Sequence, residues 1–278
     1  MASLMCPLPV CTSQSRSQRA EDISVSFSLV SSEFTLHEPV IANFIVKNSS
    51  EKPLRLNLGK NAKQSFLLTN TRPDRTRLPL PPLFREGLGT TGLESVAPGR
   101  EYKQRLVLNE WFDFGAVGHY EVQVRLTEPV RDAEGSVVME VAPFHTTLEI
   151  LPRDPRRLKD VCASLVQQIE SAPSYVAASE AAVPLSYVQD PIAVPYLEKA
   201  LYAGHLVELN AIDGLRRIAN QEAVQVLLSA LGSRHPEAMP DTATMAEAAL
   251  GMIAYETHDP GLKEIIQRAL QHANEKRP

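Results

Sequence analysis

DPIAVPYLEKAL spans Asp190–Leu201, and thirty positions on NQEAVQVLLSAL spans Asn220–Leu231. Each segment opens on a residue suited to cap a helix: Asp190 before Pro191 in the first, Asn220 in the second. Each then carries an apolar stripe at helical spacing, Val194, Leu197 and Leu201 in one and Val224, Leu227, Leu228 and Leu231 in the other. A third segment starts at Asp259-Pro260 and shows Leu262, Ile265, Ile266 and Ala269.

A second helix precedes each of these. Leu185 and Val188, Leu215 and Ile218, and Leu250 and Ile253 hold matching places, with small residues (AAV, NAI, EAA) ahead of them. Leu250 follows Leu215 by 35 positions and Ile266 follows Leu228 by 38, because ETH is inserted between the third pair's helices and GSRHPEAMPDT lengthens the loop before it. A helix pair repeated at about thirty residues predicts an α-solenoid, since each pair is apolar on both sides and buries those sides only by stacking. A plain helical bundle is the alternative, and Pro184 fits either as a kink. The helix predicted over 158–169, with Leu158, Val161, Leu165 and Ile169 as its stripe, would cap the stack.

AAVPLSYVQDPIAVPYLEKAL and AIDGLRRIANQEAVQVLLSAL resemble HEAT repeats, in particular the short bacterial kind that reads A-x-x-x-L-x-x-I-x-D-P-x-A-V-P-x-L-x-x-A-L. EAALGMIAYETHDPGLKEIIQRAL departs from it by the insertion. The resemblance covers roughly residues 175–271 and implies about three helix pairs forming an extended protein-binding surface.

Upstream the period changes from 3.6 to two. Ile23, Val25, Phe27 and Leu29 alternate with serines, Val40, Ala42, Phe44 and Val46 share one face, and LRLNL at 54–58 and SFLLT at 65–69 continue the pattern. YKQRLVL at 102–108, HYEVQVRL at 119–126, VVMEV at 137–141 and FHTTLEI at 144–150 complete it. Seven or eight short strands separated by NSSEKP, PG and GAVG turns predict an antiparallel β-sandwich over 22–152. Tyr120 stands where such sandwiches place a tyrosine that bonds back to its own corner. EPVIANFIVKNSSEKPLRLNLG is similar to the small Ig-like accessory domains of exported bacterial proteins, without the Cys…Trp…Cys pattern of antibody domains. The proline and charges of LPRDPRR (151–157) mark the boundary with a helical region, 153–278.

The totals limit what the protein does. With 44% hydrophobic and 22% charged residues among 278, and a net charge of −5, the chain has a folded protein's composition and lacks the basic footprint of a nucleic-acid binder. No run of 18 apolar residues offers a transmembrane segment. Residues 1–21 read as a disordered tether or as the remnant of an export signal, so either an exported or a cytoplasmic location fits. Cys6, Cys11 and Cys162 make no metal spacing; Cys162, in VCASLVQQI, reads as a buried thiol.

No catalytic signature is present: G-x-S-x-G, G-x-x-x-x-G-K-[ST] and H-E-x-x-H are all absent. His205 and Glu208 are spaced i, i+3 but lack a further histidine, which predicts a solvated helix face rather than a metal site. His119 and His145 alternate with core positions and are expected to point outward. No cofactor is implied.

The candidates for contact with a partner are Arg72, Arg75, Arg77 and Arg85 in the long loop 70–93, Trp111 in NEWFDFG, and Arg216 and Arg217 on a repeat helix. The expected function is a non-enzymatic interaction or scaffold module for a protein partner of unspecified identity and stoichiometry. Two alternatives follow from the resemblances. Some Ig-like domains inhibit peptidases, here through loop 70–93, and some HEAT-like proteins are bilin lyases.

Overall fold

The computed structural model describes residues 16–20, 22–58, 65–72, 74, 92–232 and 241–275. Two compact units are distinguished: the first ends at Pro152, and the second begins at Arg153 and also takes in His37–Pro39.

The first unit is β-rich. Its strands are β1 (Arg16–Ala20), β2 (Ile23–Leu29), β3 (Glu33–Thr35), β4 (Ile41–Asn48), β5 (Leu54–Asn57), β6 (Phe66–Thr71), β7 (Leu93–Val96), β8 (Glu101–Val107), β9 (Gly118–Leu126), β10 (Val130–Asp132), β11 (Val137–Met139) and β12 (Phe144–Leu151). They form three four-stranded sheets in the orders β1-β2-β4-β8, β11-β10-β5-β7 and β3-β12-β9-β6. All pairings are antiparallel except β3 with β12.

Alternation explains the strands. Val25, Phe27 and Leu29 of β2 and Tyr120, Val122, Val124 and Leu126 of β9 are buried on one side of each strand, in a single hydrophobic cluster supplied by all three sheets. The Phe27 ring lies 6.1 Å from Phe144, and Phe44 meets Phe66 edge-on at 5.0 Å. His119 and His145 are exposed.

The expected tether over 1–21 is corrected at its end. Arg16–Ala20 pair with Phe27–Ile23, because β2 has a free edge there and a polar strand is tolerated on a sheet border.

Two polar groups fix the turns. Asn48 is fully buried, donates Nδ2 to the carbonyls of Lys52 and Val96 (both 2.8 Å), and accepts from the Ser50 N–H at 3.0 Å, which shapes the NSSEKP corner. Tyr120 donates its hydroxyl to the Ala116 carbonyl at 2.7 Å and accepts from the Ala116 N–H at 3.2 Å. Burial pushes this phenol above its ordinary pKa, while the Ala116 hydrogen bond opposes the shift. Tyr120→Phe removes both bonds and leaves the ring, so it should destabilise the protein by about 1–2 kcal/mol. A shift in the denaturant midpoint with unchanged m-value checks this.

The second unit is helical: α1 (Pro155–Glu170), α2 (Tyr175–Ser186), α3 (Val194–Ala200), α4 (His205–Ile218), α5 (Gln221–Gly232), α6 (Thr242–Glu256) and α7 (Pro260–Glu275). Asp154 caps α1, accepting from the Arg156 and Arg157 N–H groups, and Ser174 caps α2. Asp190 accepts from the Ile192 N–H at 3.0 Å and caps a single 3-10 turn, Pro191–Ala193, that leads into α3. Asn220 caps α5 through the Ala223 N–H at 2.8 Å, and Asp259 caps α7 through the Gly261 and Leu262 N–H groups. Pro184 sits in the last turn of α2, which tightens to i→i−3 bonds from Tyr187 to Pro184 and from Val188 to Leu185.

Every consecutive pair of helices from α1–α2 to α6–α7 packs together, and α2 also packs on α4, α4 on α6, α3 on α5 and α5 on α7. Leu185, Leu215, Leu250 and Ile253 are at most 1% exposed in the resulting core. Gly214 permits the close approach of α4, since a β-carbon there would lie 2.7 Å from Leu197 and 3.0 Å from the Ser186 backbone. No described helix is long and apolar enough to cross a membrane.

Candidate functional site on the helical unit

Arg72 and Trp111 belong to the first unit, and Arg216 and Arg217 to the second. Arg75, Arg77 and Arg85 lie outside the described residues. Arg72 follows β6, is half-buried, and its charge acts on the Tyr120 phenol. Trp111 is corrected from a contact residue to a core residue: it is 1% exposed, at the end of a short 3-10 turn (Leu108–Glu110). Phe112 and Phe114, close to it in sequence, form an edge-to-face series with Tyr120 of β9, with centroids 6.4 and 5.2 Å apart.

Arg216 and Arg217 are corrected as well. Their side chains are only 11% and 20% exposed, and both serve one carboxylate, Asp213. Arg216 donates to Asp213 Oδ1 from Nε at 3.2 Å and from Nη2 at 3.1 Å; Arg217 donates to Oδ2 at 3.0 and 2.8 Å. Arg217 also lies over the Tyr187 ring, 4.0 Å from its centroid, and donates to the Tyr187 hydroxyl at 3.0 Å. Arg216 reaches Glu256 at 3.5 Å. The cluster therefore ties α4 to the end of α2 and to α6. It is cement between neighbouring helix pairs, with its cations already matched.

Arg153 holds Asp190 in the same structural way, Nη2 to Oδ1 at 3.0 Å and Nε to Oδ2 at 2.5 Å. The hydrogen bonds from Arg153 hold the Asp190 carboxyl below the usual carboxylate range, with the Ile192 N–H assisting and burial opposing. The folded state thus binds this proton less tightly than the unfolded chain does. The pair contributes stability above the unfolded carboxylate pKa of about 4, and loses it as pH falls through the folded value. Unfolding of the helical unit should become easier below about pH 4, and Asp190→Asn should flatten that part of the pH profile. Circular dichroism melts at a series of acid pH values check it.

Among the described residues, no group of three or more His, Cys, Asp or Glu side chains is placed to hold a metal ion. Glu208 is 1% exposed, so the expectation of a solvated position is corrected for Glu208: it lies seven residues before the core residue Leu215 and shares its buried side of α4. Burial pushes the Cys162 thiol up to about 12, which makes it a small hydrophobe rather than a nucleophile.

The described surface of the helical unit does contain a cleft of about 500 Å³ between α3 and α5. Val194, Pro195 and Val226 supply its apolar part, and Glu198, Gln221, Glu222 and Gln225 its polar part. It lies where α3 and α5 come into contact, at the edge of the core that holds Val194 and Val226. Glu198 and Glu222 are exposed, and neither has an ion-pair partner among the described residues.

No protein-family model matches the chain, and no curated protein matches it. Among solved structures, a β-glucosidase from Listeria innocua in complex with isofagomine matches with a TM-score of 0.23 and 11% identity. That match covers 51% of this chain and 16% of the enzyme chain, so this chain spans a small part of that protein.

Proposed function

We propose that this protein is a non-enzymatic interaction module, an Ig-like β-sandwich followed by a short HEAT-like solenoid, that binds a protein partner through its helical-repeat surface. The observation that carries the reading is the packing of like helices: α2 on α4 on α6 in one series, α3 on α5 on α7 in the other. That is how repeated pairs stack, and stacks of this kind work by presenting a long surface of exposed helix sides. The Tyr120–Ala116 bonds support the sandwich reading of the first unit. A cleft lined by two consecutive second helices supports the assignment of binding to the repeats.

The full chain, immobilised and exposed to an extract of its source cells, should retain one defined protein that an excess of free chain displaces. Retention of no protein, or of a bound chromophore, would contradict the proposal.

A further inference from the structure

The cleft between α3 and α5 has a chemistry that selects its occupant. Val194 and Val226 are 4% and 9% exposed, and Pro195 stands in solvent beside them, so an apolar strip runs between the helices. Glu198 from α3 and Glu222 from α5 flank the strip. Several cations of the unit are paired with its own carboxylates: Arg153 with Asp190, Lys199 with Glu170, Arg216 and Arg217 with Asp213, and Arg268 with Glu264. Lys199 follows Glu198 directly, yet its ammonium turns to Glu170 at 2.6 Å and leaves Glu198 unmatched.

An apolar strip between two carboxylates complements one kind of side chain, a long aliphatic stem that ends in a cation. We infer that this cleft receives a lysine- or arginine-bearing segment of a protein partner, its stem on Val194, Pro195 and Val226 and its cationic end at Glu198 and Glu222. This rests on the protein-binding reading above and names the class of partner. An acidic segment is disfavoured by the same two charges, and a purely apolar one would leave them facing it without water. Two exposed carboxylates steer and select more than they add affinity, so binding should weaken markedly with salt.

Selection of a randomised peptide library on the full chain, followed by titration of the enriched peptides, tests this. The enriched peptides should share a lysine or arginine next to an apolar residue. The double variant Glu198→Gln/Glu222→Gln should bind them roughly tenfold more weakly at low salt. Removing two charges elsewhere, Glu121→Gln/Glu180→Gln, should change binding less than about twofold. Both Glu198 and Glu222 are exposed, so the double variant should fold, and an unchanged circular dichroism spectrum verifies that it has. Enriched peptides without a basic residue, or binding indifferent to the Glu198/Glu222 change, would overturn the cleft assignment while leaving the repeat surface as a binding surface. Failure to enrich any peptide would also overturn it; retention of a protein by the full chain then decides the protein-binding reading separately.

Discussion

Replacing Trp111 by alanine should lower the stability of the β-rich unit by about 3–5 kcal/mol, the range for truncating a large buried aromatic. Trp111 heads the fully buried side chains by size. Its indole Nε1 has no hydrogen-bond partner among the described residues, so Trp111→Phe sacrifices mainly volume and should cost about 1–2 kcal/mol. Trp111 is the sole tryptophan, so its fluorescence follows unfolding of the parent protein, and far-UV circular dichroism serves for the variants. A Trp111→Ala protein that kept its stability and lost only its partner would restore the residue to the interface.

Asp213→Ala should cost the helical unit about 3 kcal/mol. The carboxylate neutralises two guanidinium groups at once, and Glu256, 54% exposed, reaches only Arg216 and at 3.5 Å. Its loss leaves Arg217 largely buried, with the Tyr187 ring and hydroxyl as its remaining partners. Combining Asp213→Ala with Arg217→Met should recover part of the loss, since the second change removes the unmatched charge and keeps the stem's packing. Urea titrations of the single and double variants measure both effects. Equal stabilities for Asp213→Ala and the parent would mean that the cluster is surface decoration.

Much of the secondary structure was legible. The period-two runs at 23–29, 119–126 and 144–150 became β2, β9 and β12, because one buried side per strand writes itself into alternation. The caps Asp190, Asn220 and Asp259 all accept from the N–H groups expected of them. The strands β1, β3, β7 and β10 carried too little pattern, being three to five residues long and held by pairing to a neighbour rather than by their own periodicity. For β3, β7 and β10 a partner is remote in sequence: β12 for β3, and β5 for β7 and β10.

The site was less legible. Arg216 and Arg217 look like a solvated pair until Tyr187 and Glu256 are brought in from adjacent helices by stacking. A usable hint existed, because Tyr187 stands thirty positions before Arg217, the spacing that separates DPIAVPYLEKAL from NQEAVQVLLSAL. Glu208 also had a signal, lying three, four and seven residues ahead of Ala211, Ile212 and Leu215 on one helical side. The cleft had none, since Val194 and Val226 are core-type residues whose edges show only where two helices part.

The most direct test of the binding account is photo-crosslinking from single positions of the full chain in its source cells. A crosslinker at Gln225 on α5, at Glu180 on α2 and at Glu121 on β9 samples both helix series and a sheet, all from exposed positions. The account predicts that one protein is captured from the helical positions, most strongly from Gln225 beside the cleft. Capture from Glu121 alone, or of no protein from any of the three, would contradict it.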